Sequence, residues 1–316
     1  MRIMVTGGAG FIGSHTVDTL LARGDEVVCV DNFDDYYSPE RKRRNLTKAQ
    51  ASPSFQLYEK DIRDFQDMER IFSSEEPQKV VHLAAMAGVR YSVRFPLLYE
   101  EVNVKGTLNL LELASRYGVR NFILASTSSV YGASKDIPFK EDSAAVQPLA
   151  PYPATKRACE LLAYVYHNLH GLHCTALRFF SVYGPRGRPD MTPYLFTEAI
   201  SQGREITLYD EGRPQRDWTY IEDSVGGLFA ALDADLEYEV INLGNSNPVV
   251  MRDFVTLIEE LVGRKAKITS PPLPPSEPPI TFADISKARR LLGYNPTTSV
   301  EEGMRHFVEW YRQEVA

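Results

Sequence analysis

The chain has 316 residues, 43% of them hydrophobic and 24% charged, with a formal net charge of −7. That length supports a large core, expected in two lobes, and the composition is that of an ordinary globular protein. The acidic balance argues against general nucleic-acid binding but leaves room for a local basic pocket that takes an anionic small molecule.

Three cysteines, Cys29, Cys159 and Cys174, are scattered along the chain. Their spacing suits neither a metal site nor a disulfide framework, so they read as reduced, half-buried residues of a cytoplasmic protein. Arg2–Thr6 runs straight into a glycine-rich loop, so no signal peptide is expected. No apolar run approaches the length of a membrane span.

Arg2–Thr6 reads as a short buried strand, Phe11–Arg23 as a helix ended by Gly24, and Glu26–Val30 as a second strand closing at Asp31. The cluster Arg41-Lys42-Arg43-Arg44 is short and reads as a solvated face. Further apolar strands are predicted at 55–59, 80–83, 122–125 and Cys174–Phe179, with helices at 68–73, 99–117 and 153–170 between them. His82 reads as a core histidine. This alternation predicts an α/β fold, a doubly wound parallel sheet of Rossmann type. Ligands are then expected at the carboxyl ends of the strands.

After Tyr183 the rhythm changes. Pro185, Gly187, Pro189 and Pro193 break the chain, and helical stretches at 194–202 and 252–261 follow with short strands. Pro271-Pro272-Leu273-Pro274-Pro275 with Pro278-Pro279 reads as a rigid extended connector. Residues 1–180 are expected to form the dinucleotide-binding domain. Residues 181–316 are expected to form mainly a smaller C-terminal α/β substrate lobe, with segments around 216–245 returning to the first domain.

Gly7, Gly10 and Gly13 lie between a predicted strand and a predicted helix that starts at Phe11 and Ile12, the context a dinucleotide-binding loop requires. Glycines permit the tight turn and close backbone approach to a pyrophosphate, and the helix N-terminus offers free N–H groups. Asp31, with Asn32 beside it, ends the second strand, where a carboxylate accepts from both adenosine ribose hydroxyls; a 2′-phosphate would be repelled, which favours NAD. Asp61 and Ile62 follow the third strand and are candidates to border the adenine. The spacing is G-x-x-G-x-x-G rather than the commoner G-x-G-x-x-G.

Tyr152 and Lys156, in Tyr152-Pro153-Ala154-Thr155-Lys156, are spaced to share one helix face. A free phenol titrates near ~10, and a neighbouring ammonium lowers that value so the phenolate can act as a base. Thr127, in Ala125-Ser126-Thr127-Ser128-Ser129, is the candidate third hydroxyl that orients a substrate alcohol. A Tyr-x-x-x-Lys pair alone is a common chance occurrence on a helix surface; its position after a nucleotide loop and a Ser/Thr-rich strand end gives it meaning.

On these residues the chain resembles the extended short-chain dehydrogenase/reductases, and within them the nucleotide-sugar epimerases. The resemblance spans essentially the whole chain. It is carried by Thr6-Gly7-Gly8-Ala9-Gly10-Phe11-Ile12-Gly13, His82-Leu83-Ala84-Ala85, residues 126–132, 152–156, 178–184 and 216–223, and Ala283-Asp284-Ile285-Ser286-Lys287-Ala288. It implies tightly held NAD, with Leu83, Ala84 and Ala85 among the residues that line it, and a nucleoside diphosphate sugar in the C-terminal lobe. A homodimer through helices 99–117 and 153–170 is implied as well, with Leu108, Leu111, Leu161 and Leu162 as apolar faces. Arg216 matches the family's diphosphate-binding arginine.

Relatives that eliminate water or remove carbon dioxide carry acidic residues after the catalytic threonine, where this chain has Ser128 and Ser129. Elimination needs a base and an acid, so oxidation and re-reduction at C4 alone is expected. Ala87-Gly88-Val89-Arg90-Tyr91-Ser92 and residues 178–191 are similar to UDP-glucuronate 4-epimerases. The similarity implies Arg90, Ser128, Ser129, Ser181, Arg186, Arg188 and Arg216 as substrate contacts. A guanidinium recognises a carboxylate through two parallel hydrogen bonds, which gives Arg188 the sugar's C6 carboxylate; phosphate binding or a solvated loop is the other reading for Arg186 and Arg188. Ser181 departs from the usual Thr of uronate epimerases and Asn of galactose epimerases but keeps a hydroxyl. A neutral UDP-glucose or UDP-N-acetylglucosamine epimerase, a decarboxylase or 4,6-dehydratase, and a non-catalytic NAD-binding scaffold are the alternatives. No metal site is expected.

Overall fold

The computed structural model describes every residue except Val146, Asp235 and Ala316. Among the described residues the strands are β1 Arg2–Thr6, β2 Glu26–Val30, β3 Phe55–Tyr58, β4 Lys79–His82, β5 Asn121–Thr127 and β6 Cys174–Phe179, followed by β7 Ser181–Tyr183, β8 Glu205–Thr207, β9 Gln215–Tyr220, β10 Tyr238–Leu243, β11 Pro248–Val250 and β12 Lys267–Thr269. Seven of them form one sheet in the order β10-β6-β5-β4-β1-β2-β3, with every pairing parallel. The order reverses between β1 and β4, and a crevice opens at the carboxyl ends of the strands there.

The inner strands β1, β2, β4, β5 and β6 are largely apolar because both sheet faces are covered there. Along β1, Ile3 and Val5 enter one core cluster with Val17, Leu20 and Leu228, and Met4 enters the other with Phe72, Leu110 and Phe122. This is the two-residue alternation of a strand with a core on each side. Helices Phe11–Arg23 and Ile221–Asp233 cover the first face, and Phe65–Glu75, Gly106–Arg116 and Pro151–His170 the second. Gly24 ends the first helix in the left-handed conformation, φ 88°. The three cysteines are free and fully buried, not half-buried.

The strand at 238–243 fills the outer position beside β6, and its predominantly mixed sequence carried no apolar-run signal. Two small sheets, β11-β9-β7 and β12-β8, build the C-terminal part, with helices Thr192–Ser201, Met251–Val262 and Val300–Glu314 and a Trp218–Phe254 stack at 4.5 Å. Asp217 joins these pieces: its carboxylate accepts from the backbone N–H groups of Asn245, Ser246 and Ala283.

Three local features differ from the sequence expectation. The helix expected over 99–117 is interrupted by a π-helical stretch, Glu100–Lys105. The wider turn places Asn103 inside, where its side chain bonds the backbone of Met86 and the Thr155 hydroxyl; such insertions cluster at functional sites. The basic cluster is not all solvated. Lys42, Leu46 and Ala49 form an inward face, and the Lys42 ammonium donates to the Asp34 carbonyl at 2.6 Å. The proline-rich stretch is no free connector: Asp210 donates to the Pro271 carbonyl and Gln215 to that of Pro279, and Leu273, Glu277 and Pro278 wall the main cavity.

Candidate active site

A cavity of about 950 Å³ runs from the glycine loop, past the end of β5, into the C-terminal part. Gly7, Gly10, Phe11, Ile12, Gly13, Asp31, Asn32, Asp61, Ile62, Leu83, Ala84 and Ala85 line one end. The glycines are required by space. A Cβ on Gly7 (φ +69°) would sit 2.6 Å from the Ala84 nitrogen, and one on Gly13 would sit 2.1 Å from the Gly7 carbonyl oxygen. Asp31 closes β2 with its carboxylate held by the N–H groups of Ala9, at 3.0 Å, and Phe33, at 2.9 Å. Burial pushes this carboxyl above its ordinary range, opposed by those amides and by Lys42. Asn32 donates to Asp61 at 3.0 Å. A bare glycine cradle, a helix N-terminus and a carboxylate at the end of the second strand fit a dinucleotide with free ribose hydroxyls.

Thr127, Ser128, Ser129, Tyr152 and Lys156 line the middle of the cavity. Pro151 opens the Pro151–His170 helix, which places Tyr152 in its first turn and Lys156 one turn on. β5 continues to Thr127, and a short 3₁₀ helix, Ser128–Tyr131, turns the two serines toward the cavity. Burial raises the Tyr152 phenol; a hydrogen bond with Thr127 and the charge of Arg188 pull it back down. Burial lowers Lys156, and Cys159 and Glu160 pull it back up. The Lys156 shift is toward neutral pH, as a group that shares in proton transfer requires, while Tyr152 stays above its ordinary value and depends on Thr127 and Arg188 to bring it down. Tyr99, wholly buried, packs its ring edge-on to Tyr152 at 6.0 Å.

Arg90, Ser181, Arg188 and Arg216 line the same cavity, and Arg186 does not. Arg186 turns away to pair with Asp18 of the first helix at 2.8 Å; its φ of 64° lies in the left-handed region, which reverses the chain between the two arginines. Arg188 is already engaged side-on: Nε donates to Asp190 Oδ1 at 2.9 Å and Nη2 to Oδ2. A ligand carboxylate is therefore left the end-on face, Nη1 and Nη2. Glu277 accepts from Arg90 and from Arg216, each at 3.1 Å. Lys42, Tyr36, Asp190 and Glu277 are cavity residues that sequence reasoning missed. Lys42 had a signal in its four-residue spacing from Leu46, and Asp190 in its place within residues 178–191.

His82 is a core residue, with Nδ1 2.7 Å from the Thr6 hydroxyl and Nε2 2.9 Å from that of Thr107. Among the described residues no cluster of His, Cys, Asp or Glu has the makings of a metal site, and no helix is long and apolar enough to cross a membrane.

The family model described as GDP-mannose 4,6 dehydratase matches residues 4–307. A UDP-glucuronate 4-epimerase of Thermodesulfobacterium geofontis is 43% identical over 313 residues, 99% of this chain and 96% of that protein. The crystal structure of the Bacillus cereus UDP-glucuronic acid 4-epimerase in complex with UDP-glucuronic acid and NAD superposes with a TM-score of 0.94 at 36% identity over 99% of both chains. The Thermotoga maritima UDP-glucose 4-epimerase with UDP-glucose gives 0.92 at 34% identity over the whole of both. With the glycine cradle, Asp31 and the Tyr152–Lys156 pair facing one cavity, these matches place the chain in the GDP-mannose 4,6 dehydratase family of the extended short-chain dehydrogenase/reductases.

Proposed function

We propose that the chain is an NAD-dependent UDP-glucuronate 4-epimerase, interconverting UDP-glucuronate and UDP-galacturonate. The observation that carries this is Arg188. It faces the same cavity as Tyr152, close enough for its charge to lower the phenol, while the positions after Thr127 are serines. A half-buried guanidinium beside Tyr152 suits a sugar that carries a carboxylate.

Bound in the glycine cradle, with Asp31 on the adenosine ribose, NAD supplies reversible two-electron oxidation at the sugar's C4. The chain's own residues manage the proton and the geometry. Tyr152 takes the O4 proton and later returns it, Thr127 orients the O4 hydroxyl, and Lys156 stabilises the phenolate. Arg216 and Arg90 hold the diphosphate end with the N–H groups that Glu277 leaves free. The 4-keto sugar turns within the site while its UDP stays held, so re-reduction would meet the opposite face of C4 while Tyr152 returns the proton to O4. That keto form is a β-keto acid. Decarboxylation needs the breaking C–C bond roughly perpendicular to the carbonyl plane, and Arg188 with Ser129 and Ser181 restrains the carboxylate from that torsion.

The first domain, 1–180, then holds the dinucleotide and 181–316 mainly the nucleotide sugar, with 216–245 returning; the pairing of β10 with β6 supports that return. We read the chain as a cytoplasmic homodimer. Leu97, Leu161 and Leu169 are 77%, 54% and 66% exposed on adjoining helices, enough unpartnered apolar surface for a second copy; Leu111, by contrast, is core. Sedimentation velocity on the wild type and on Leu161→Glu tests the dimer.

The test of function is to incubate the purified protein with UDP-glucuronate, without added NAD, and follow sugar and carbon dioxide by NMR. UDP-galacturonate at equilibrium with no carbon dioxide is the expected outcome. A pentose product would make it a decarboxylase, and no change even with NAD added would favour a neutral sugar.

A further inference from the structure

Tyr152, Lys156 and Glu160 recur at four-residue intervals along one face of the Pro151–His170 helix. Glu160 is fully buried, and both its oxygens are saturated. Oε1 accepts from the Ser126 hydroxyl at 2.5 Å and from Arg178 Nε at 2.9 Å. Oε2 accepts from Arg178 Nη2 at 2.9 Å and from Arg157 Nη1 at 2.6 Å. Ser126 and Arg178 are register partners on β5 and β6, so one carboxylate holds the helix to both strands. Ser126 immediately precedes Thr127. Arg178 is itself 1% exposed and lies over the Tyr131 ring, 4.8 Å from its centroid.

A buried ion pair is a costly way to hold a helix on a sheet, since an apolar pair of similar volume does it as well or better. This pair sits one helical turn beyond Lys156, and Ser126, which donates to it, lies on the strand that delivers Thr127. We propose that Glu160 is a positioning residue for the reaction: it fixes the register of the Tyr152–Lys156 helix against Thr127 and supplies the buried counter-charge for the Lys156 ammonium. The proposal rests on the reading of Tyr152, Lys156 and Thr127 given above.

The groups that face Lys156 and Glu160 come from every neighbouring element. They are His82 on β4, Ser126 on β5 and Arg178 on β6, with Tyr152, Arg157 and Cys159 on the helix itself; Tyr238 of β10 donates to the Glu160 carbonyl. His82 is buried and held well below its ordinary range, so it stays neutral. Among these groups Glu160 is the carboxylate, opposed by two arginines, and its loss leaves Arg178 uncompensated. The sign follows. Without Glu160 the Lys156 ammonium loses its proton at lower pH, and the alkaline limb of the turnover profile moves down.

The test compares wild-type holoenzyme with Glu160→Gln, Glu160→Asp, Ser126→Ala and the charge-balanced double variant Glu160→Gln/Arg178→Met. Far-UV circular dichroism and the nucleotide released on denaturation report folding and NAD retention. For Glu160→Gln, kcat is expected to fall roughly tenfold with KM little changed, and the alkaline limb to drop by about one pH unit. Glu160→Asp keeps the charge but loses reach: its limb stays near wild type while kcat stays low. Ser126→Ala lowers kcat a few-fold, roughly, without moving the limb.

If Glu160→Gln does not fold, Ser126→Ala shows the lowered kcat, and the double variant, which removes the Arg178 charge as well, shows a smaller drop of the limb. Folded, NAD-loaded variants with wild-type kcat and an unmoved limb would overturn the proposal. A wild type inert toward UDP-glucuronate but active on UDP-glucose would sink the uronate reading alone, and the same profiles would then be taken with UDP-glucose. Full activity in Tyr152→Phe would overturn both.

Discussion

Arg188 spends the Nε–Nη2 edge of its guanidinium on Asp190, two residues further on. Tyr36, from the loop after β2, donates to the same carboxylate at 2.9 Å. The arginine is thus aimed before any ligand arrives, and it presents its end rather than its side to the cavity. A guanidinium fixed in this way restrains a second carboxylate at low entropic cost.

Arg188→Ala is expected to change the products and not only the rate. With the torsional restraint gone, carbon dioxide and a UDP-4-keto-pentose should appear beside a turnover lowered on the order of a hundredfold. NMR of the reaction with UDP-glucuronate checks this. A variant that loses turnover with no by-product would count against the torsional role.

Tyr152→Phe removes the proton carrier and is expected to lower kcat by roughly a hundredfold to ten-thousandfold while retaining NAD. Thr127→Val should be milder and differ in kind. Its hydroxyl lowers the buried Tyr152 phenol, so its loss raises that value and moves the acid limb of the kcat profile to higher pH. An acid limb that stays in place would rule out the Thr127–Tyr152 bond as part of the proton path.

Gly13→Ala should fail in the cradle. The new methyl would meet the Gly7 carbonyl oxygen at 2.1 Å and the Gly8 Cα at 2.8 Å, and backbone cannot swing aside as a side-chain tip can. A stability loss of about 2–3 kcal/mol is expected, with loss of co-purifying NAD. Urea unfolding and the absorbance of released nucleotide measure both. Gly24→Ala makes a control for space alone, since nothing lies within 4 Å of a Cβ there, although its φ of +88° still imposes strain.

His15 links the first helix to the arginine-bearing loop, its Nε2 3.0 Å from the Pro185 carbonyl. Burial lowers it from 6.5 to about 4. A depressed histidine contributes stability that is fully present above the unfolded value and is lost as pH falls, here between about 6.5 and 4. The most this one group contributes to that loss is about 3 kcal/mol. Urea unfolding at pH 7 and pH 4.5 should show a smaller acid penalty in His15→Gln than in the wild type. An equal penalty would place the acid sensitivity elsewhere.

Chain-local chemistry was readable from the order of residues. The apolar runs of β1, β2 and β6 mark buried parallel strands because they are short and alternate with helical patterns. Gly7, Gly10 and Gly13 mark a backbone that something approaches closely, and Tyr152 with Lys156 marks one helix face. These patterns repeat within a turn or a strand, so their spacing reports their geometry. Which side chains meet across the fold is set instead by docking of distant elements. The turn at Arg186 sends that arginine to Asp18 and its near neighbour Arg188 into the cavity, although the two look equivalent in sequence. Glu277, in a stretch that reads as a linker, reaches Arg90 and Arg216 only because that stretch is pinned along the cavity wall. Glu160 looks like one more charged helix residue until the sheet brings Ser126 and Arg178 to it. Burial of those pairs, and the shifts it imposes on Tyr152 and Lys156, exist only once water has been excluded by packing.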